Sequence, residues 1–195
     1  MPSLYALKPW YTRRLDRLVQ WAVRRDVSPD VFTWLGVLSA AAAGVATAVL
    51  GWWPLVLVLL AGRLAGANLD GAVARARGVS RPWGFVVNEI GDRLSDLLMF
   101  AGLAVLLGRL QGGAAVGLVL VAALAATLPT FASLAGAGAG APRLNGGPFG
   151  KTERCLAVVL VVALPDLAQI LLWAVVGLSV LTAGVRLRRL RRVLA

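Results

Sequence analysis

The sequence predicts an all-α integral membrane fold, six transmembrane helices with an N-terminal amphipathic interfacial helix. Three observations carry this. Hydrophobic residues make up 59% of the 195 positions, and the mean hydropathy is +0.79, well above that of a soluble domain. The apolar residues fall in runs close to the roughly 20 helical residues needed to cross a bilayer core. Basic residues gather in alternate connections between those runs, as positive-inside topology requires.

The elements follow in order. Residues 4–25 interleave Leu4, Leu7, Trp10, Leu15, Leu18, Val19 and Val23 with Lys8 and five arginines. That pattern suits a helix lying in the membrane interface with its cations over anionic headgroups, or a helix packed on the bundle. Ser28-Pro29-Asp30 ends it, and Pro29 is suited to open the next helix. Six spans are expected at about residues 31–50, 55–76, 84–107, 114–135, 151–164 and 167–185. Trp52 and Trp53 are placed as interface anchors, and Gly62 and Gly66 as a G-x-x-x-G pair for close helix contact. The Gly/Ala/Pro-rich connection 136–150 suggests a mobile loop. One domain results: an interfacial helix over 1–28, a six-helix bundle over 31–186 and a basic cytoplasmic tail over 187–195.

Of the 20 basic residues, all but Lys8 and Lys151 are arginine, and the formal net charge is +11. Because these residues cluster between apolar runs, topology explains them better than nucleic acid. Six spans put both termini on one side, and the basic bias makes that side cytoplasmic. The chain has no histidine, which excludes histidine metal sites and histidine bases, and its one cysteine, Cys155, can form no intrachain disulfide.

Against this background residues 67–96 stand out, because they hold Asp70, Glu89, Asp92 and Asp96. An acid at the centre of a membrane helix costs about 2.5–3.5 kcal/mol and marks a functional candidate. At helical spacing Asn88, Asp92 and Asp96 share one face of the third span, with Glu89 at its margin. On the second span Arg63, Ala67 and Asp70 share a face, while Asn68 points away from it. Oxygen donors without His or Cys suit Mg²⁺ or Mn²⁺ rather than Zn²⁺. Gly71 and Gly84 allow a nucleotide close to the backbone, and Arg75 can pair with a pyrophosphate.

Asp70-Gly71, Ala74-Arg75, Gly84 and Asp92 match, in identity and spacing, the signature D-x-x-D-G-x-x-A-R, eight residues, G-x-x-x-D-x-x-x-D. The chain thereby resembles the CDP-alcohol phosphatidyltransferase family. Ser28-Pro29-Asp30 followed by Thr33 at the start of the first span adds to the likeness. The resemblance implies a membrane transferase of phospholipid biosynthesis. It would move a phosphatidyl-type group from a CDP-activated lipid, such as CDP-diacylglycerol, to a hydroxyl acceptor, with release of CMP.

Carried over, Asp92 is the catalytic base and Asp70 a metal ligand, with Asn88, Asp92, Glu89 and Asp96 as further metal candidates. Gly71, Ala74, Arg75 and Gly84 hold the cytidine diphosphate. The cofactor implied is Mg²⁺ or Mn²⁺. The implied partners are the CDP-lipid, the alcohol and membrane lipids, with no nucleic acid and a second copy in a homodimer.

Two signature aspartates are replaced, by Ala67 and Asn88. An asparagine carbonyl still ligates a hard cation, without charge; alanine does not. Three outcomes stay open: Glu89 and Asp96 rebuild the site, which is the expectation, or it holds one ion, or activity is lost. For Glu89 the competing role is an i,i+4 pair with Arg93; for Asp96 it is a contact with Arg63 or a serine on a neighbouring helix, or support of the site from one turn deeper than Asp92. Lys151 and Arg154, with Arg143, are candidates for an acceptor or lipid phosphate. The rival function is a non-catalytic family member that binds nucleotide-lipid or a partner protein. A channel with an acidic pathway is disfavoured because the acids cluster at one membrane face.

Overall fold

The computed structural model describes residues 15–79 and 81–194. Among the described residues all regular structure is helical: α1 (Asp16–Arg24), α2 (Pro29–Val49), α3 (Trp53–Ala76), α4 (Pro82–Gln111), α5 (Gly113–Gly138), α6 (Lys151–Ala163) and α7 (Ala168–Leu194), with a 3-10 turn at Pro165–Leu167 before α7. Ser28 accepts a hydrogen bond from the Asp30 N–H at the start of α2, and Pro29 occupies its first turn.

Among the described residues four helices are long and apolar enough to cross a membrane: α2, α3, α5 and the run Pro165–Leu194. Their outward faces carry exposed Leu38, Val58, Leu124 and Ile170, which suits lipid rather than water. These features mark an integral membrane protein. The other two expected spans differ for physical reasons. The 30 residues of α4 reach about 45 Å, but its first half carries Glu89, Asp92, Arg93 and Asp96. The 13 residues of α6 reach about 20 Å, short of a hydrocarbon core of about 30 Å.

Of the N-terminal helix expected over 4–25, residues 4–14 lie outside the described ones. In the remainder, Ala22 is buried with Phe32, Leu69 and Val73, and Leu15, Val19 and Val27 pack against that cluster. Leu18 and Trp21 face outward.

The described residues form two compact units that divide after Leu103, within α4. In the first, glycines set the helix spacing. A Cβ on Gly66 would lie 2.6 Å from the Phe32 carbonyl oxygen and 2.8 Å from the Gly36 Cα, and one on Gly62 would lie 2.6 Å from the Ser39 Oγ. Ser39 also donates to the Leu59 carbonyl at 2.6 Å. Both members of the G-x-x-x-G pair are therefore used, against α2. On its other side α2 meets α4: a Cβ on Gly44 would lie 2.5 Å from the Leu98 carbonyl oxygen, and Gly102 faces the Gly44 backbone.

In the second unit α5 packs on α7 through small side chains. Ala122, Ala125, Ala126 and Ala132 are buried, as are Leu172, Val175 and Ala183, and Gly136 faces Leu190. The helix expected to form the sixth span runs past residue 185, through the arginine run to Leu194. Arg186, the last residue of the bundle expected from the sequence, is buried; its Nη1 donates to the Pro129 carbonyl at 2.6 Å and its Nε to the Gly146 carbonyl at 3.0 Å.

The connection before α6 is also not a loose loop. Ser133 donates to the Leu144 carbonyl at 2.6 Å, and the Phe149 N–H donates to Thr182 Oγ1 at 3.1 Å. Ala141 and Phe149 are buried. A Gly/Ala-rich composition gives no hint of such pinning, because the anchors are side chains distant in sequence.

Candidate functional site

Helix register decides which residues meet. Antiparallel α2 and α3 cross at Gly36 and Gly66, so the chain before Gly36 lies opposite the chain after Gly66. That puts Thr33 beside Asp70, and the Thr33 hydroxyl donates to Asp70 Oδ2 at 2.9 Å, buried. Parallel α2 and α4 keep one sequence offset: Gly44 meets Gly102, and Thr33 meets Gly91, whose Cβ would lie 2.8 Å from the Thr33 Cγ2. Thr33 therefore sits between Asp70 and the turn of α4 that bears Asn88 and Asp92.

A cavity of about 200 Å³ opens at this end of the unit, lined by Asp70, Gly71, Ala74, Gly84 and Asn88. These five were named from the sequence alone. Its remaining wall comes from Pro29, Asp30, Thr33, Val79, Arg81 and Phe85, none of which was in the predicted site. The signal was available for three of them, since Pro29, Asp30 and Thr33 belong to the matched start of the first span. Asp30 also accepts an ion pair from Arg81 at 3.0 Å. Arg77 donates to the carbonyls of Asp26 and Val27 and to the Asp26 carboxylate. The α3–α4 connection is thereby tied to the α1–α2 connection at the cavity mouth.

Gly71 and Gly84 serve the cavity differently. A Cβ on Gly71 would lie 3.1 Å from Arg75 Nη1, so the exposed Arg75 guanidinium rests alongside the glycine, whereas a Cβ on Gly84 would meet nothing within 4 Å. Asp70 is buried, and its Oδ1 accepts from the Gly71 N–H at 2.5 Å. The Asn88 Oδ1 is buried and has no hydrogen-bond partner. A buried acceptor left unsatisfied is uncommon and calls for an explanation such as an ion. An anionic carboxylate and an uncommitted amide oxygen on one cavity wall are the donor types that suit a hard divalent cation.

The wider ligand set expected from the sequence does not assemble. Among the described residues no three of His, Cys, Asp or Glu come together in a way that could hold a metal. The carboxylates are spread over several turns, and Asp96 is engaged elsewhere. Arg63 Nη2 lies 2.7 Å from Asp96 Oδ1 and Arg93 Nη1 lies 3.0 Å from Asp96 Oδ2. The proposed contact between Arg63 and Asp96 is thus present, and direct ligation by Asp96 is the weaker role.

Asp92 and Glu89 are buried on α4, Asp92 one turn beyond Asn88. Asn68 donates its side-chain amide to the Leu64 carbonyl of its own helix at 2.8 Å, so it does not replace a ligand at Ala67. In the second unit Lys151 and Arg154 stand on the first turn of α6, with Arg154 buried. There Glu153 accepts from the Gly150 N–H at 2.9 Å and satisfies a free helix donor.

Known proteins resemble this chain along nearly its whole length. A phosphatidylinositol phosphate synthase of Mycolicibacterium smegmatis is 29% identical over 209 residues, covering 98% of this chain and 90% of the relative. Inner membrane protein YnbA of Escherichia coli is 28% identical, covering 98% of this chain and 96% of the relative. In fold, the chain is similar to the phosphatidylinositol phosphate synthase PgsA1 of Mycobacterium tuberculosis. With CDP-DAG bound that protein superposes with a TM-score of 0.78 at 24% identity, over 91% of this chain and 94% of its own. In complex with manganese and citrate it gives 0.74 at 23% identity, over 90% and 88%. No family model matches the chain. Signature residues, helical architecture and these nearly full-length relatives agree in the resemblance to the CDP-alcohol phosphatidyltransferase family.

Proposed function

We propose that this protein is a membrane transferase of phospholipid biosynthesis. It moves a phosphatidyl-type group from a CDP-activated lipid to an alcohol and releases CMP. One observation carries the reading: Thr33, Asp70, Gly71, Ala74, Gly84 and Asn88, from three helices, line a single cavity, with Asp92 on the next turn of α4. Similarity to proteins named phosphatidylinositol phosphate synthase, one solved with CDP-DAG and with manganese, supports it.

In the reaction the acceptor oxygen bonds to the lipid-side phosphorus. The bond from that phosphorus to the bridging oxygen breaks, and CMP leaves with the electron pair. Asp92 takes the hydroxyl proton as the new bond forms. Asp70 and Asn88 would hold Mg²⁺ or Mn²⁺, which neutralises charge on the diphosphate oxygens when bound. Thr33 holds the Asp70 carboxylate in one orientation through its hydrogen bond. Gly71, Ala74 and Gly84 leave room for the nucleotide against the backbone, and Arg75 pairs with its phosphates. Lys151 and Arg154 bind a phosphate on the acceptor or on lipid.

In the membrane, α2 to α7 make the six spans, α4 crossing with its acidic face turned inward, and α1 lies at the interface. Both termini and the site face the cytoplasm, because the basic connections lie on that side. The protein works as a homodimer.

The test is CMP release from CDP-diacylglycerol by the purified protein with Mg²⁺ or Mn²⁺, across inositol phosphate, glycerol phosphate, serine and other alcohols. Acceptor-dependent CMP release is the expected result. The replacement of two acids by Ala67 and Asn88 favours a second reading, a non-catalytic family member. Uptake of CDP-lipid with no CMP from any acceptor would establish that one instead.

A further inference from the structure

We propose that the site takes one divalent cation per chain, at Asp70 and Asn88, and not a pair; this rests on the phosphatidyl-transfer reading above. The donor inventory leads there. On the cavity face of α3 only Asp70 offers a carboxylate. One turn earlier Ala67 presents a methyl group, and the neighbouring amide of Asn68 is turned to the Leu64 carbonyl.

On α4, Asn88 contributes a neutral oxygen, buried and without a hydrogen-bond partner. Asp96 lies between Arg63 and Arg93, so its charge is already balanced. Glu89 and Asp92 are buried, and neither is part of the cavity lining. Asp30 lines the cavity but is paired with Arg81 at 3.0 Å. The protein oxygens that face each other across the cavity are then the Asp70 carboxylate and the Asn88 amide, a donor set for one hard dication.

Two dications in a shared site stand about 3.5–4 Å apart and need anionic oxygens between them to offset their repulsion. The replacements at 67 and 88 take away those charges while keeping one amide lone pair. The Asn88 oxygen is therefore what remains of the ligand set, and a single ion explains why it is buried with no protein donor.

The test is Mn²⁺ binding to the full chain in detergent, followed by electron paramagnetic resonance and metal analysis, with and without CDP. One Mn²⁺ per chain is expected, with an uncoupled six-line spectrum. Asn88→Ala should weaken Mn²⁺ binding by roughly tenfold or more, and Asn88→Asp should tighten it. The double variant Ala67→Asp, Asn88→Asp should take up a second ion and show Mn–Mn coupling. If the double variant does not fold, the wild-type stoichiometry and the isosteric Asn88→Asp still decide. Two ions in the wild-type chain, no uptake at all, or unchanged affinity in Asn88→Ala would each overturn the proposal. CMP release measured on the same preparation is read separately: two ions with turnover sinks only the stoichiometry, and one ion without turnover sinks only the transferase reading.

Discussion

Arg63 on α3 and Asp96 on α4 form a buried ion pair at 2.7 Å, with side chains 1% and 6% exposed. Arg63 lies two turns before Asp70, and Asp96 one turn past Asp92. The pair therefore fixes the level of α3 against α4 just inside the cavity. Breaking a buried pair costs about 3–5 kcal/mol when the remaining charge has no other partner. Asp96 keeps Arg93 at 3.0 Å, so Arg63→Ala should lower the thermal unfolding midpoint in detergent by less than that full cost. Replacing both residues, as Arg63→Met with Asp96→Leu, should recover much of that loss. A double variant no more stable than Arg63→Ala would show that the pair is not what holds the two helices.

Thr33 offers a finer probe, since its hydroxyl reaches Asp70 Oδ2 at 2.9 Å. A hydrogen bond to a charged group contributes about 1.5–3 kcal/mol. Thr33→Val keeps the shape and loses the donor, so kcat/KM for CMP release should fall about 10- to 100-fold. Thr33→Ser should stay near wild type. Equal activity in Thr33→Val and wild type would mean that the orientation of Asp70 does not matter.

The glycines separate fold from function. Gly66→Ala would press a Cβ to within 2.6 Å of the Phe32 carbonyl oxygen, and overpacking of this kind costs about 1–3 kcal/mol. Gly84→Ala meets open space and should unfold no earlier than wild type. Its cost should appear as a raised KM for the CDP-lipid, read from initial rates. A stable Gly66→Ala protein, or Gly84→Ala with unchanged KM, would contradict these assignments.

Arg186 holds the connection before α6 through the Gly146 carbonyl and α5 through the Pro129 carbonyl. Arg186→Ala should expose residues 139–150, seen as faster amide hydrogen exchange and proteolytic cutting there. Exchange elsewhere should change little. Unaltered exchange in this segment would show that Ser133 and Thr182 suffice to hold it.

Much of this was legible in the sequence. Five cavity residues, Asp70, Gly71, Ala74, Gly84 and Asn88, follow from spacing and from one signature, because consecutive helical turns hold the chemistry. The contact between Arg63 and Asp96 was foreseen as the less ligand-like role for Asp96, since a buried acid beside a buried arginine is a natural partner for it. What a single helix face does not reveal is helix register. The placement of Thr33 beside Asp70 needs the Gly36–Gly66 crossing, which links positions far apart in the chain. The same holds for Arg186, whose partners lie on α5 and in a loop. The bundle expected from the sequence reaches residue 186, but the sequence does not show that Arg186 satisfies two backbone carbonyls there. The lengths of α4 and α6 against the membrane also depend on where helices end, which composition places only loosely.

The most direct test of the central claim is the rate of CMP release from CDP-diacylglycerol by Asp92→Asn, compared with wild type on the preferred acceptor. A positioned general base contributes about 10²- to 10⁴-fold. The variant should lose activity by that factor while binding CDP as wild type does. Wild-type turnover in Asp92→Asn would contradict the account, because no other acid has been assigned the acceptor's proton.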